Sequence, residues 1–151
     1  MILETKNIFI NQKPMEKEDV IRKIGDIFAS QGYTNEYYTQ AMLDKEKVFN
    51  TYIGNEVAIP HGIEDAKRHI KKTGLVLMTV PEGQDWGAPE KVKVIIGIEA
   101  VGDEHLHVLQ RIAMTFSDKA GVDRLLTLNE QEISDLFEYE ATRFTPHSRS
   151  V

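Results

Sequence analysis

Apolar positions alternate between helical spacing and unbroken runs along this chain. Residues 7–10 form a short apolar run that predicts an edge strand, and 11–14 read as a turn. Val20, Ile21, Ile24, Ile27 and Phe28 then recur at helical spacing among charged residues. They predict an amphipathic helix that begins near Met15 and stops near Gly32, glycine being the usual residue past a helix end. Thr34 or Asn35 is placed to cap a second helix over 36–47, with Tyr37, Ala41, Met42 and Tyr38 as its inner face. Residues 63–68 are polar and helix-prone. Residues 73–80 and 92–101 are nearly all apolar and predict interior strands covered on both faces, with a loop over 81–89 between them. A helix is expected from His105, with Leu106, Leu109, Ile112, Ala113 and Phe116 inward. A short helix over 121–128 and a last one capped by Asn129, with Glu132 completing a capping box, finish the pattern. Residues 141–151 carry no period and read as a flexible tail containing His147. Alternating helices and strands predict an α/β single domain over 1–140, a mixed, mostly buried sheet flanked by helices on both faces.

One stretch stands apart from the packing pattern. The run Val57-Ala58-Ile59-Pro60-His61-Gly62 is β-prone and ends in proline, histidine and glycine. Proline and glycine do not continue a central strand, so the chain must leave the sheet there and set His61 at a strand end. Strand ends are where α/β proteins gather their chemistry, and histidine exists in both charge states near neutral pH. A loop histidine that merely follows a strand is the competing reading.

Bulk properties narrow the class. The 151 residues fit one domain, and 41% hydrophobic with 28% charged residues is an ordinary globular balance. The formal charge of −6 argues against general nucleic-acid binding and allows docking to basic faces. No apolar run approaches twenty residues, so no membrane span is expected, and the N-terminus shows no secretory pattern. With no cysteine there is no disulfide or thiolate chemistry, consistent with a cytoplasmic protein.

Several separated segments, in order, carry a resemblance. The segments Ala41-Met42-Leu43-Asp44-Lys45-Glu46-Lys47, Thr51-Tyr52-Ile53-Gly54, Val57 to Gly62, Val80-Pro81-Glu82-Gly83 and Gly102-Asp103-Glu104-His105-Leu106 resemble the IIA proteins of the sugar phosphotransferase system, mannitol/fructose class. They look most like the mannitol type, over about residues 7–138. The resemblance implies a mixed sheet flanked by helices and a phosphotransferase that works through a phosphohistidine. It implies His61 as phosphoacceptor at Nε2 and His105 as the auxiliary active-site histidine. A phosphorylated histidine carrier protein would be the donor, and a IIB domain of a membrane transporter the acceptor. The phosphoryl group would ride covalently on His61, with no cofactor and no metal, and the chain would reach the membrane only through that transporter.

The residues suit that chemistry. A neutral imidazole nitrogen attacks without first losing a proton and also leaves well. Phosphoryl transfer otherwise needs positioning and charge stabilisation. Lys45 stands where the mannitol type often has arginine, and it supplies charge without a bidentate fork. It reads equally as a helix-end cation. Thr51 and Asn55 are further candidates for polar contacts to the phosphate, and Val48, Phe49 and Ile63 for apolar contacts on a docking face shared by donor and acceptor. A regulatory, nitrogen-type IIA relative that controls partners is the alternative. A metal-dependent hydrolase built on His61, Asp103, Glu104, His105 and His107 fails if His105 opens a helix, because residues two apart do not share a helix face.

Overall fold

The computed structural model describes residues 2–62 and 70–144. A short 3₁₀ turn leads into β1 (Ile8–Phe9), and the chain continues through α1 (Lys17–Ser30), α2 (Tyr38–Val48), β2 (Tyr52–Gly54) and β3 (Val57–Ala58). Then follow β4 (Gly74–Gln84), β5 (Val92–Glu99), α3 (Asp103–Thr115), α4 (Lys119–Leu125) and α5 (Glu130–Phe144). The five strands form one mixed sheet in the order β1-β4-β5-β3-β2, with β1 at an edge as expected. β3 runs parallel to β5, and β4 antiparallel to it.

Alternation along the central strands divides the core into two layers. Leu75, Leu77, Val94, Ile96 and Ile98 join Leu109, Ile112, Phe116 and Phe137 on the face covered by α3, α4 and α5. Val76, Met78, Val80 and Ile95 join Ile24, Phe28, Met42 and Trp86 on the face covered by α1 and α2. Both faces of β4 and β5 are therefore buried, which is why their sequences read as continuous apolar runs. α1 ends where Gly32 takes a φ of 77°, the left-handed region that closes a helix. At α5 the Asn129 side chain accepts from the Glu132 N–H and the Glu132 carboxylate accepts from the Asn129 N–H, both at 2.9 Å.

Several details differ from expectation. α2 begins at Tyr38 and no side chain caps it; Asn35 instead accepts from the N–H of Tyr37. Tyr37 is exposed while Tyr38 is buried, because one residue is a rotation of about 100° on a helix. β4 continues through Pro81 to Gln84, and its pairing with β5 shifts between Thr79 and Gln84. Pro81 and Glu82 sit exposed in that irregular segment, where a missing N–H breaks no ladder bond. α3 opens at Asp103, two residues before His105, and α4 spans Lys119–Leu125 behind an Asp118 cap. α5 takes in residues 141–144, given above to the tail, because Ala141 packs into the core. The remainder of that tail with His147, and the helix expected over 63–68, lie outside the described residues.

Candidate active site

His61 is positioned by the end of β3. Extending the β3–β5 register, in which Ala58 faces Ile95, sets His61 opposite Ile98. The N–H of Ile98 donates to the Pro60 carbonyl at 2.9 Å, so the two strands are still joined immediately before His61. The His61 ring turns back on its own strand, with Nδ1 2.8 Å from the Ile59 carbonyl. A carbonyl only accepts, so Nδ1 carries the proton and the lone pair is on Nε2.

Tyr38 holds the far side of the loop. Its hydroxyl accepts from the Gly62 N–H at 2.9 Å and donates to the Ile98 carbonyl at 3.4 Å. The ring lies against Gly62, and a Cβ there would come within 2.5 Å of Tyr38 Cε1, so only glycine fits. Burial raises the Tyr38 hydroxyl well above the ordinary tyrosine range, with the bond from Gly62 opposing and Glu99 adding to the rise. The hydroxyl therefore stays protonated and keeps both roles. The sequence places Tyr38 among core residues, and no local signal sets it apart from Tyr37.

Glu99, the last residue of β5, was read only as part of an apolar strand. It is fully buried, and neither carboxylate oxygen has a hydrogen-bond partner among the described residues. Burial pushes its carboxyl up to about 9. The signal was a single acidic residue inside Val94-Ile95-Ile96-Gly97-Ile98-Glu99-Ala100.

His105 stands in the exposed first turn of α3, at the same end of the sheet. Its Nδ1 is 3.0 Å from the Val101 carbonyl and 3.5 Å from the Thr73 hydroxyl. It therefore has the same tautomer as His61, with the lone pair on Nε2. The two rings flank the end of β5, His61 on the β3 side and His105 toward the start of β4. His107 is on the same helix two residues on, also exposed. Among the described residues no group of three or more His, Cys, Asp or Glu is gathered as a metal site.

The remaining candidates separate. β2 and β3 form a hairpin in which Tyr52 pairs with Ala58, and the Ile59 N–H donates to the Thr51 carbonyl at 3.0 Å. Lys45 places its ammonium 5.0 Å from the centre of the Phe49 ring, just before the start of the hairpin. Asn55 is at the other end. With Glu56 it forms the two-residue turn, at φ of 49° and 70°. Thr51 is buried and committed to Glu46, its N–H and hydroxyl donating at 2.8 and 2.6 Å. Glu46 is also paired with Lys17 at 3.0 Å. That network anchors the start of the hairpin, and it leaves neither Thr51 nor Asn55 directed to His61.

A mixed sheet with a tautomer-locked histidine at the end of a parallel strand defines a class, and the sequence comparisons agree with it. The chain belongs to the EIIA 2 family of the phosphoenolpyruvate-dependent sugar phosphotransferase system, whose profile matches residues 1–140. It is 40% identical over 138 residues to the mannitol-specific phosphotransferase enzyme IIA component of Staphylococcus aureus (strain MRSA252), covering 91% of this chain and 95% of that one. The crystal structure of IIA mannitol from Escherichia coli superposes with a TM-score of 0.80 at 36% identity, covering 91% of this chain and 99% of that one. The Escherichia coli enzyme IIA of the mannitol system in complex with phosphorylated enzyme IIB gives a TM-score of 0.81 at 34% identity, over 90% and 98% of the two chains. Among the described residues no helix is long and apolar enough to cross a membrane.

Proposed function

We propose that this chain is a cytoplasmic phosphocarrier for mannitol or a related hexitol, with His61 as the phosphoacceptor. The observation that carries the reading is the 2.8 Å contact between His61 Nδ1 and the Ile59 carbonyl. With that proton held, the Nε2 lone pair attacks the phosphorus of a phosphorylated histidine carrier. The new N–P bond forms as the donor's N–P bond breaks, and the donor ring departs neutral. Phosphorylated His61 keeps its Nδ1–H, so the ring bears positive charge, which the Ile59 carbonyl offsets. That charge makes the ring a good leaving group when a IIB cysteine thiolate attacks, forming S–P and breaking N–P. The group is carried covalently and the step needs no cofactor. The mannitol-specific relatives and the IIB complex of the Escherichia coli protein support the substrate and the acceptor.

The face around His61 suits brief docking of both partners in turn. Val48 and Phe49, at the junction of α2 and the hairpin that leads to His61, are 79% and 63% exposed, and Val101, whose carbonyl meets the His105 ring, is exposed. Exposed apolar side chains at the point of in-line transfer exclude water during the step. Lys45, over Phe49, sets a cation at the rim of that patch. Ile63 lies outside the described residues. The test is incubation with phosphoenolpyruvate, enzyme I, the histidine carrier and a mannitol IIB domain. Label is expected at His61 and then on IIB; a site elsewhere, or no passage to IIB, refutes the reading.

His105 is proposed to steady the phosphoryl oxygens without being modified. Its Nδ1 bond to Val101 holds the ring, and Nε2 would donate to developing charge once it takes up a proton and the ring becomes an imidazolium. His105→Ala is expected to fold, to accept label at His61, and to pass it to IIB on the order of a hundredfold more slowly. Rapid-quench transfer at the wild-type rate would make His105 an ordinary surface residue.

A further inference from the structure

Parallel strands are joined by evenly spaced bonds, in which a residue donates its N–H to one neighbour and its C=O accepts from the residue two further on. Ile98 donates to Pro60 in this way. The next bond of the ladder would run from the Gly62 N–H to the Ile98 carbonyl. In its place stands the Tyr38 hydroxyl, 2.9 Å from the one and 3.4 Å from the other. We infer that Tyr38 is a positioning residue for phosphoryl transfer, its hydroxyl inserted as a spacer that splits the β3–β5 ladder at His61 and holds the imidazole out of the sheet.

Three features of the strand end call for a spacer of this kind. Pro60 has no N–H, so β3 has already lost one rung before His61. Gly62 has no side chain to lock its backbone, yet its N–H is held, through a ring that touches its Cα side. Tyr38 itself is 2% exposed, so it acts through the loop and does not touch a bound phosphoryl group. His61 is thus fixed from both neighbours through the same residue, Ile98: directly through Pro60, and through the tyrosine hydroxyl at Gly62. A water molecule there would bond equally well but would exchange. A hydroxyl on the buried first residue of α2 does not.

The inference rests on His61 being the phosphoacceptor, and the test separates the two. Tyr38→Phe keeps the ring and removes only the spacer's bonds. Mapping the label in the wild-type protein tests the acceptor; the variant then tests the spacer. In the variant we expect label still at His61, an unchanged KM for the phosphorylated carrier, and a kcat lower by about tenfold to a hundredfold, the cost of a small misplacement. Amide exchange at Gly62 should accelerate while exchange in β4 and β5 holds. A variant with the wild-type kcat, or one in which kcat falls only in proportion to a general loss of β4 and β5 protection, overturns the positioning role.

Discussion

His61→Ala is expected to reduce labelling by the phosphorylated carrier to background. The reason is local: the variant removes the imidazole that is held between two anchored neighbours and opposite Ile98. His105 has the same tautomer, since its Nδ1 also faces a carbonyl. It stands, however, in an exposed first turn beside Asp103 and Glu104 and not at the end of a parallel strand. Transfer demands close in-line approach, and a misplaced nucleophile forfeits most of the rate. The fold should survive, because His61 is only partly buried and its ring bond to the Ile59 carbonyl contributes on the order of 1 kcal/mol. Phosphate-affinity electrophoresis with a circular-dichroism melt reads both quantities. Labelling of the variant at the wild-type rate would move the acceptor away from His61.

The second large effect is on stability and its dependence on pH. Glu99 is buried without a hydrogen-bond partner among the described residues, and its carboxyl is pushed up to about 9 from 4.5. Among the described residues Tyr33 and Tyr38 are the titratable groups that Glu99 acts on, and burial raises both, so neither is charged in the working range. Between those two values the unfolded chain has released the Glu99 proton while the folded chain still binds it. The unfolded state then holds fewer protons, so stability falls as pH rises through this window. At pH 7 the deficit is roughly 3 kcal/mol, from about 1.4 kcal/mol per pH unit above the unfolded value. Glu99→Gln matches the neutral acid in shape and has no proton to lose. Its advantage over wild type should be absent below about pH 4.5, where both states are protonated, and should grow steadily toward pH 8. For a chain of this size the gain at neutral pH corresponds to a melting temperature higher by on the order of 10 °C. Urea titrations at several pH values measure it; parallel curves for the two proteins would show that Glu99 is ionised or paired in the fold.

A buried acid one residue beyond Ile98 is a cost borne at the place where the sheet opens to the site. Strained or under-satisfied groups commonly collect at such positions. The His61 end gathers three departures from ordinary packing: an interrupted ladder, a glycine that admits no side chain, and a buried carboxyl without a hydrogen-bond partner among the described residues.

Much of this was legible along the chain because its causes are local or periodic. Helical spacing marked α1, alternating burial under helices on both faces made β4 and β5 continuous apolar runs, and Asn129 with Glu132 announced the start of α5 within four residues. Proline and glycine on either side of His61 determined that the chain leaves the sheet there, since neither continues a central strand. What the tertiary structure alone decided depends on partners far away in sequence. Tyr38 meets Gly62 and Ile98 across separations of 24 and 60 residues, and no local pattern distinguishes it from Tyr37. β4 passes Pro81 because pairing resumes between Gln84 and Val92. Thr51 and Asn55 flank the same hairpin, yet Glu46 claims the first and a turn of positive φ takes the second to the far end. Composition and period report which face of an element is buried. Which hydroxyl, carbonyl or carboxylate meets which is settled only when separate elements pack, because a hydrogen bond depends on distances of a few tenths of an ångström that no one-dimensional pattern encodes.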